Sequence, residues 1–207
     1  MPPRTPRWPW WRRPLELRID VGHDADKIEL ELDALHRRLN RPGDALHGIA
    51  AVPTSRPGLV LRWRAADGDF YVYVEDRVRG CLAGYTVFNR LIELDVRADR
   101  WLRAPHSKYR PAYQRQGLAS AVYRWGLDAG LCLITGARQS PAANALWHGL
   151  ARCYPRIHVD LRDRVLTQLA EPVDAARRGE LHTRMLLLGR DWSVARLAAD
   201  AGLRLVA

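Results

Sequence analysis

The stretch PAYQRQGLAS, residues 111–120, concentrates the chain's chemical potential in ten residues. Gln114, Arg115 and Gln116 are donor-rich side chains, Gly117 is a single glycine, and small residues follow at Ala119 and Ser120. The chain then turns apolar with helical spacing, Val122, Tyr123 and Leu127 falling on one stripe. A helix N-terminus has unpaired N–H groups and a partial positive charge. A glycine at its mouth lets a ligand approach the backbone closely. Together they suit a phosphate or pyrophosphate, and Arg115 adds a mobile cation. The P-loop pattern GxxxxGK[ST] does not occur in the chain, and neither does the dinucleotide fingerprint GxGxxG.

These residues need elements to position them. LELRIDV (15–21) alternates as a strand. Asp24 is placed to cap a helix reaching Asn40, with Ile28, Leu32, Leu35 and Leu39 on one face. A loop over 44–57 leads into strands at 58–65, 70–76 and 80–88, the first two joined by an Asp67-Gly68 hairpin turn. LIELDVRA (91–98) completes the meander as a fourth strand, and 99–110 reads as a polar, basic loop. After the glycine turn comes a helix from Leu118 to Ala129. A continuous apolar run over 131–137 has the character of a buried parallel strand. Ser140 and Pro141 open the next helix as N-cap and first residue. Strands at 157–161, 164–170 and 181–189 precede a last helix capped by Asp191.

This order resembles that of the GNAT superfamily of acyl-CoA-dependent N-acetyltransferases. PAYQRQGLASAVY matches the superfamily's coenzyme A signature, Gln/Arg-x-x-Gly-x-Gly/Ala, at Gln114, Gly117 and Ala119. The resemblance spans roughly residues 15–189. It implies an α+β fold: a mostly antiparallel twisted sheet of six or seven strands with one splayed parallel pair, and helices on both faces. It implies that Gln114, Arg115, Gln116, Gly117, Leu118, Ala119 and Ser120 hold the pyrophosphate of acetyl-CoA or another acyl-CoA. The thioester then meets an amine in the gap between strand 91–98 and strand 131–137. The superfamily often places a carboxylate base on the strand before the motif. Glu93 and Asp95, at i and i+2, are the candidates here.

A second motif of the superfamily, Asn-x-x-Ala-x-x-Leu-Tyr, maps onto Ser140, Ala143, Leu146 and Trp147. Its tyrosine is a common acid for the departing thiolate. Trp147 takes that place, and an indole N–H is no usable acid. Tyr109, Tyr113, Tyr123 and Tyr154 are alternatives, and Tyr154 is taken as the catalytic candidate. Trp101, among arginines, and His106 are candidates for the acceptor pocket; Trp125, Trp147 and His148 read as structural.

The chain has 33 basic and 23 acidic residues, a net charge of +10, with only Lys27 and Lys108 as lysines. That excess favours polyanions, so nucleic acid stands beside a small amine as acceptor. Phage Mom-type DNA modification is the analogy for the nucleic-acid alternative, and a non-catalytic CoA-binding module is the third. Residues 1–14, rich in Pro, Arg and Trp, form a separate arm without the apolar segment of a signal peptide. Residues 15–189 form the acyltransferase domain, and 190–207 a C-terminal helix that packs on the body or builds a homodimer. No run approaches the length of a membrane span. Three scattered cysteines lack metal-ligand spacing and suit a reducing, cytoplasmic setting.

Overall fold

A computed structural model describes residues 24–205. The N-terminal arm (1–14) and the expected strand at 15–21 lie outside these described residues. The described chain forms a nine-stranded, mostly antiparallel sheet with one parallel pair, covered by helices on both faces: an α+β fold.

Helix α1 (Ala25–Leu39) starts where Asp24 accepts a hydrogen bond from Asp26 N–H at 3.1 Å. Ile28, Leu32 and Leu39 bury its apolar stripe against the sheet. The meander follows as β2 (Leu59–Ala66), β3 (Asp69–Asp76) and β4 (Cys81–Asn89). A three-residue edge strand, β1 (Ala51–Pro53), lies within the segment read as a loop. Asp67 and Gly68 both have positive φ, 54° and 85°, the pair that the twist of a tight hairpin demands.

The fourth meander strand is not 91–98. It is β5 (Leu102–Tyr109), which lies in the segment expected to be a loop. Residues 96–99 instead form the short helix α2 (Val96–Asp99). Asp95 caps it by accepting from Arg97 N–H at 2.8 Å. Leu94 and Ala98, four apart, are buried, while Ile92 and Val96 stay exposed, which is helical burial and not strand alternation. The true strand escaped notice because its polar side chains find partners after folding. Lys108 pairs with Glu31 at 2.7 Å, Ser107 contacts Thr86 at 2.8 Å, and Arg103 donates to the Asp99 and Leu102 carbonyls.

The rest follows the expected order: α3 (Leu118–Asp128), β6 (Cys132–Ile134), α4 (Pro141–Leu150), β7 (Arg156–Arg162), β8 (Val165–Gln168), α5 (Ala175–Arg178), β9 (Thr183–Leu187) and α6 (Val194–Ala201). The sheet order is β1-β2-β3-β4-β5-β6-β9-β7-β8. Nine strands among the described residues exceed the six or seven that the resemblance implies; β7 and β8 lie where the sequence predicts strands, and β1 is added at the sheet's edge. Ser193, not Asp191, caps α6. Leu197 and Ala201 of that helix join Ala98, Leu102 and Trp192 in one cluster, so the C-terminal helix packs on its own chain.

Two faces result. One carries α3 and α4 over Phe88, Leu133, Met185 and Leu187. The other carries α1 over β4, and α2 and α6 over Leu102, Cys132, Ile134 and Leu186. Gly84 on β4 lets the Tyr109 ring of β5 lie flat against the strand, for a Cβ there would run into that ring. Gly84→Ala is therefore expected to lower stability by about 1–3 kcal/mol through overpacking. Urea and thermal denaturation of the variant measure this.

Candidate functional site

Strand β5 pairs with β6 in parallel over two residue pairs only, Leu102↔Cys132 and Arg103↔Leu133. Beyond Arg103 the two strands diverge. Among the described residues, the backbone of 104–109 has no strand partner on the side facing β6, and Pro105 has no N–H to offer. The gap opens toward the C-terminal ends of both strands, and the 111–117 turn sits beyond it.

That turn is built by its own side chains. Gln114 Nε2 donates to the Tyr109 carbonyl at 3.0 Å, clamping the turn to the end of β5. Gln116 Nε2 donates to the Ala112 carbonyl at 2.7 Å. Arg115 and Gly117 are both left-handed, with φ of 57° and 74°. A Cβ on Gly117 would meet nothing closer than Arg56 Nη2 at 3.6 Å, so glycine is needed there for its φ and not for lack of space. Leu118 is buried and anchors the first turn of α3 to the core, while Ala119 and Ser120 are half-buried.

Helix α3 differs from the other described α-helices at its start. Asp24, Asp95, Ser140, Asp174 and Ser193 cap the others through their side chains. Gly117 has no side chain to do so, which leaves the first-turn N–H groups of α3 as donors. The Arg56 guanidinium donates to the Gln116 carbonyl and so holds a cation over the turn. Arg79 stacks on the Tyr113 ring at 5.4 Å. With Asp76, Tyr113 and Gln116, the two arginines line an open cleft of about 330 Å³. Arg56 gave no sequence signal, since it lies in a loop 60 positions from its partner.

Asp76 ties this cleft to the sheet. Its carboxylate accepts from Tyr113 Oη at 2.8 Å and from the N–H groups of Val78 and Arg79 at 3.0 and 2.9 Å. Burial acts to raise its pKa, but those three donors outweigh burial and hold it below the ordinary carboxylate value. Burial, reinforced by contacts with Cys81 and Asp76, pushes the Tyr113 phenol up.

On the α3 face of the gap lies a hydroxyl cluster. Ser107 Oγ contacts Thr86 Oγ1 at 2.8 Å and Tyr123 Oη at 3.4 Å, and Tyr109 Oη lies 3.3 Å from Thr86. Burial pushes Tyr123 up to about 12, with Ser107 opposing it. Trp147 is buried and meets Tyr123 edge-on at 5.9 Å, and Trp125 packs near Trp63 at 6.1 Å, both core roles.

The structure does not bring the expected catalytic trio together. Asp95 is a helix cap, and Glu93 lies exposed in the turn before α2, within electrostatic reach of Arg184 on β9, neither of them on β5. Tyr154 donates to Asp128 at 2.9 Å, at the end of α3 remote from Gly117. At 1.5 Å per residue that is about 16 Å away. Burial and the Asp128 carboxylate push its phenol up to about 12. Trp101 is half-buried, packed edge-on against Trp192 at 5.2 Å with Arg100 stacked on it at 4.8 Å. It does not stand free in a pocket. His106 does reach the gap: it sits on β5, on the α1 face, opposite Val87.

No known protein family's sequence profile matches the chain, and no curated protein matches it. Solved structures do align with it. A ribosomal-protein-S5-alanine acetyltransferase from Vibrio fischeri is 12% identical over 60% of this chain and 64% of its own, with a TM-score of 0.35. The chain thus spans less than two thirds of that protein's length. A chimeric spermidine N-acetyltransferase from Vibrio cholerae is 19% identical over 59% and 68%, at 0.34. A ribosomal L7/L12 alpha-N-protein acetyltransferase in complex with coenzyme A is 12% identical over 67% and 96%, at 0.39. Identities and scores this low leave the weight on the site's own geometry.

The depressed pKa of Asp76 has a consequence for stability. A carboxylate with a lowered folded-state pKa stabilises the protein above its unfolded value, near 4, and that contribution is lost as pH falls through the folded value. Asp76→Asn is expected to cost about 1–3 kcal/mol at pH 7. It should also flatten the loss of stability below pH 4, which denaturant titrations at stepped pH will measure.

Proposed function

We propose that the chain is an N-acyltransferase that uses acyl-CoA. The observation that carries this reading is the pairing of a diverging parallel strand pair with an uncapped, glycine-led helix at its mouth. When bound, acyl-CoA supplies an acyl group activated as a thioester. The residues fit such a ligand. The first-turn N–H groups of α3, from Leu118 to Ser120, face anionic oxygens with the positive end of the helix dipole behind them. Arg56, Arg79 and Arg115 add cations around the turn. The free edge of β5 beyond Arg103 offers backbone groups to an extended amide chain, as an unpaired sheet edge does.

Ser107 and Tyr123 take the role that the sequence motif assigns to a tyrosine at 147. Both hydroxyls stand on the α3 face beside the diverging edge. With its pKa pushed up to about 12, Tyr123 keeps its proton at neutral pH and donates it as a hydrogen bond to negative charge on sulfur, while Ser107 donates to the Tyr123 oxygen and strengthens it as a donor. A thiolate with a pKa near 8.5 leaves adequately with that support. On the opposite face, His106 is the imidazole on the β5 rim, the position from which to take a proton from an attacking amine. The nucleic-acid alternative is weakened by Trp101, whose stacking surface is spent on Trp192 and Arg100.

Acetyl-CoA at about 100 times its Kd is expected to raise Tm by roughly 5–10 °C. Absence of any shift at saturating acetyl-CoA overturns the assignment. Gly117→Glu, which puts an anion and a side chain at φ 74°, should abolish that shift while the fold persists; unchanged affinity would remove the glycine turn from the site. Tyr123→Phe and Ser107→Ala are each expected to reduce kcat about 10- to 100-fold with the affinity for CoA retained, read by thiol release with and without an amine.

A further inference from the structure

Arg184 on β9 is a buried cation that, among the described residues, forms no ion pair within contact distance. Its residue is 7% exposed, and among the described residues its Nη1 has no hydrogen-bond partner. Glu93 and Asp160 act on it only through space, against the burial that works to discharge it. Asp160 is engaged elsewhere, by Arg162 at 3.0 Å and Arg177 at 3.2 Å. A guanidinium in such a setting is costly to fold, and removing its charge ordinarily stabilises a protein. Ionisable groups perturbed by burial in this way cluster at functional sites.

Its position says which ligand. Ile134 pairs with Leu186, and Thr135 exchanges hydrogen bonds with Met185, Thr135 N–H donating to the carbonyl at 3.0 Å and Met185 N–H to Thr135 Oγ1 at 3.1 Å. Arg184 is therefore the next residue of β9 past the end of β6, in the direction in which β5 and β6 diverge. Alternation puts it on the face of Leu186 and Leu188, the α2 and α6 side. On β5, Leu102 and Ala104 share that face, and His106 follows two residues on. Since Leu102 is level with Cys132, His106 is level with position 136, which is also the level of Arg184. The two side chains thus stand on opposite rims of the gap, at one height, on the face away from α3.

We infer that Arg184 receives an anionic group of the acceptor, so that the acceptor is an amine that also carries a carboxylate or phosphate. This rests on the acyl-transfer reading above. Two acidic oxygens fit the guanidinium fork, and the anchored molecule spans the gap with its amine toward His106. Polyamines, which bring only positive charge to this rim, are excluded by the same electrostatics.

Calorimetry with the full chain, with and without coenzyme A, tests this. The probes are β-alanine and phosphoethanolamine, their counterparts without the anionic group, β-alaninamide and ethanolamine, and spermidine. The expected result is binding of one or both anion-bearing amines at least about 10-fold tighter than the counterparts that lack the anion or spermidine. The carboxylate and phosphate arms separate the two anions. Arg184→Met should remove that preference while leaving coenzyme A affinity unchanged, and should raise Tm by a few degrees because an uncompensated charge is gone. Arg184→Lys, which keeps the charge and loses the fork, serves where the methionine variant misfolds, and should lose about 10-fold. Equal binding of amines with and without the anionic group, tighter spermidine binding, or a preference that survives Arg184→Met overturns the inference. Anion binding that depends on Arg184 in a protein that fails to bind coenzyme A would sustain the inference about Arg184 and sink the acyl-transfer reading instead.

Discussion

Two residue pairs of parallel ladder, Leu102↔Cys132 and Arg103↔Leu133, are the constraint on which the site depends. A longer ladder would close the sheet and leave an ordinary core. A shorter one would detach β6, β9, β7 and β8 from the meander. The ladder starts because Leu102, Cys132, Leu133 and Ile134 are fully buried and must pack together. It stops where Pro105 lacks an N–H and where the hydroxyls of Ser107, Tyr109 and Tyr123 turn to one another and to Thr86. One half-sheet carries α1, the other carries α2 and α6, and α3 and α4 cover the seam from the opposite face.

The glycine turn at the gap's mouth is held from two directions. Gln114 fixes it to the end of β5, and Tyr113 fixes it through Asp76 to the β3–β4 turn. This bracing explains why two left-handed residues, one of them an arginine, persist there: surrounding contacts over-determine the backbone. It also changes the role of the two glutamines. They read as ligand donors in the sequence, and each spends one of its two amide N–H groups on the turn itself, on the carbonyls of Tyr109 and Ala112. Beside them, the backbone N–H groups of α3 and the guanidinium groups of Arg56, Arg79 and Arg115 are donors suited to an anion.

Local signals carried much of the fold. Asp24 before Ile28 and Leu32, Asp67-Gly68 between two alternating runs, and Ser140-Pro141 before Leu146 and Leu150 each named an element that the chain forms. In each case the determining interaction lies within a few residues: a cap, a pair of positive φ angles, a stripe on one helix. The segment 91–109 defeated the same reasoning. Leu91, Leu94 and Val96 imitate a strand, while Arg103, His106 and Lys108 imitate a loop. Asp95 as a cap and Lys108 as a partner of Glu31, 77 positions away, reversed both readings. The expected bases thus lie off the strand, Asp95 as a helix cap and Glu93 in the turn before it, and Tyr154 bonds Asp128 at the far end of α3.

What the sequence by itself determined is the turn: Gly117, the following apolar stripe and the absence of a capping side chain are enough to specify a helix start that favours an anion. The order of elements around it was legible for the same reason, since caps and periodicities are short-range. Only the tertiary structure decided which strand flanks the gap, which hydroxyls line it, and that His106 and Arg184 share a level on its rims. Those relations depend on register between segments about 80 residues apart, and on whether a buried charge finds a partner. No spacing along the chain encodes either one, because both come from packing two half-sheets that separate after two pairs of residues.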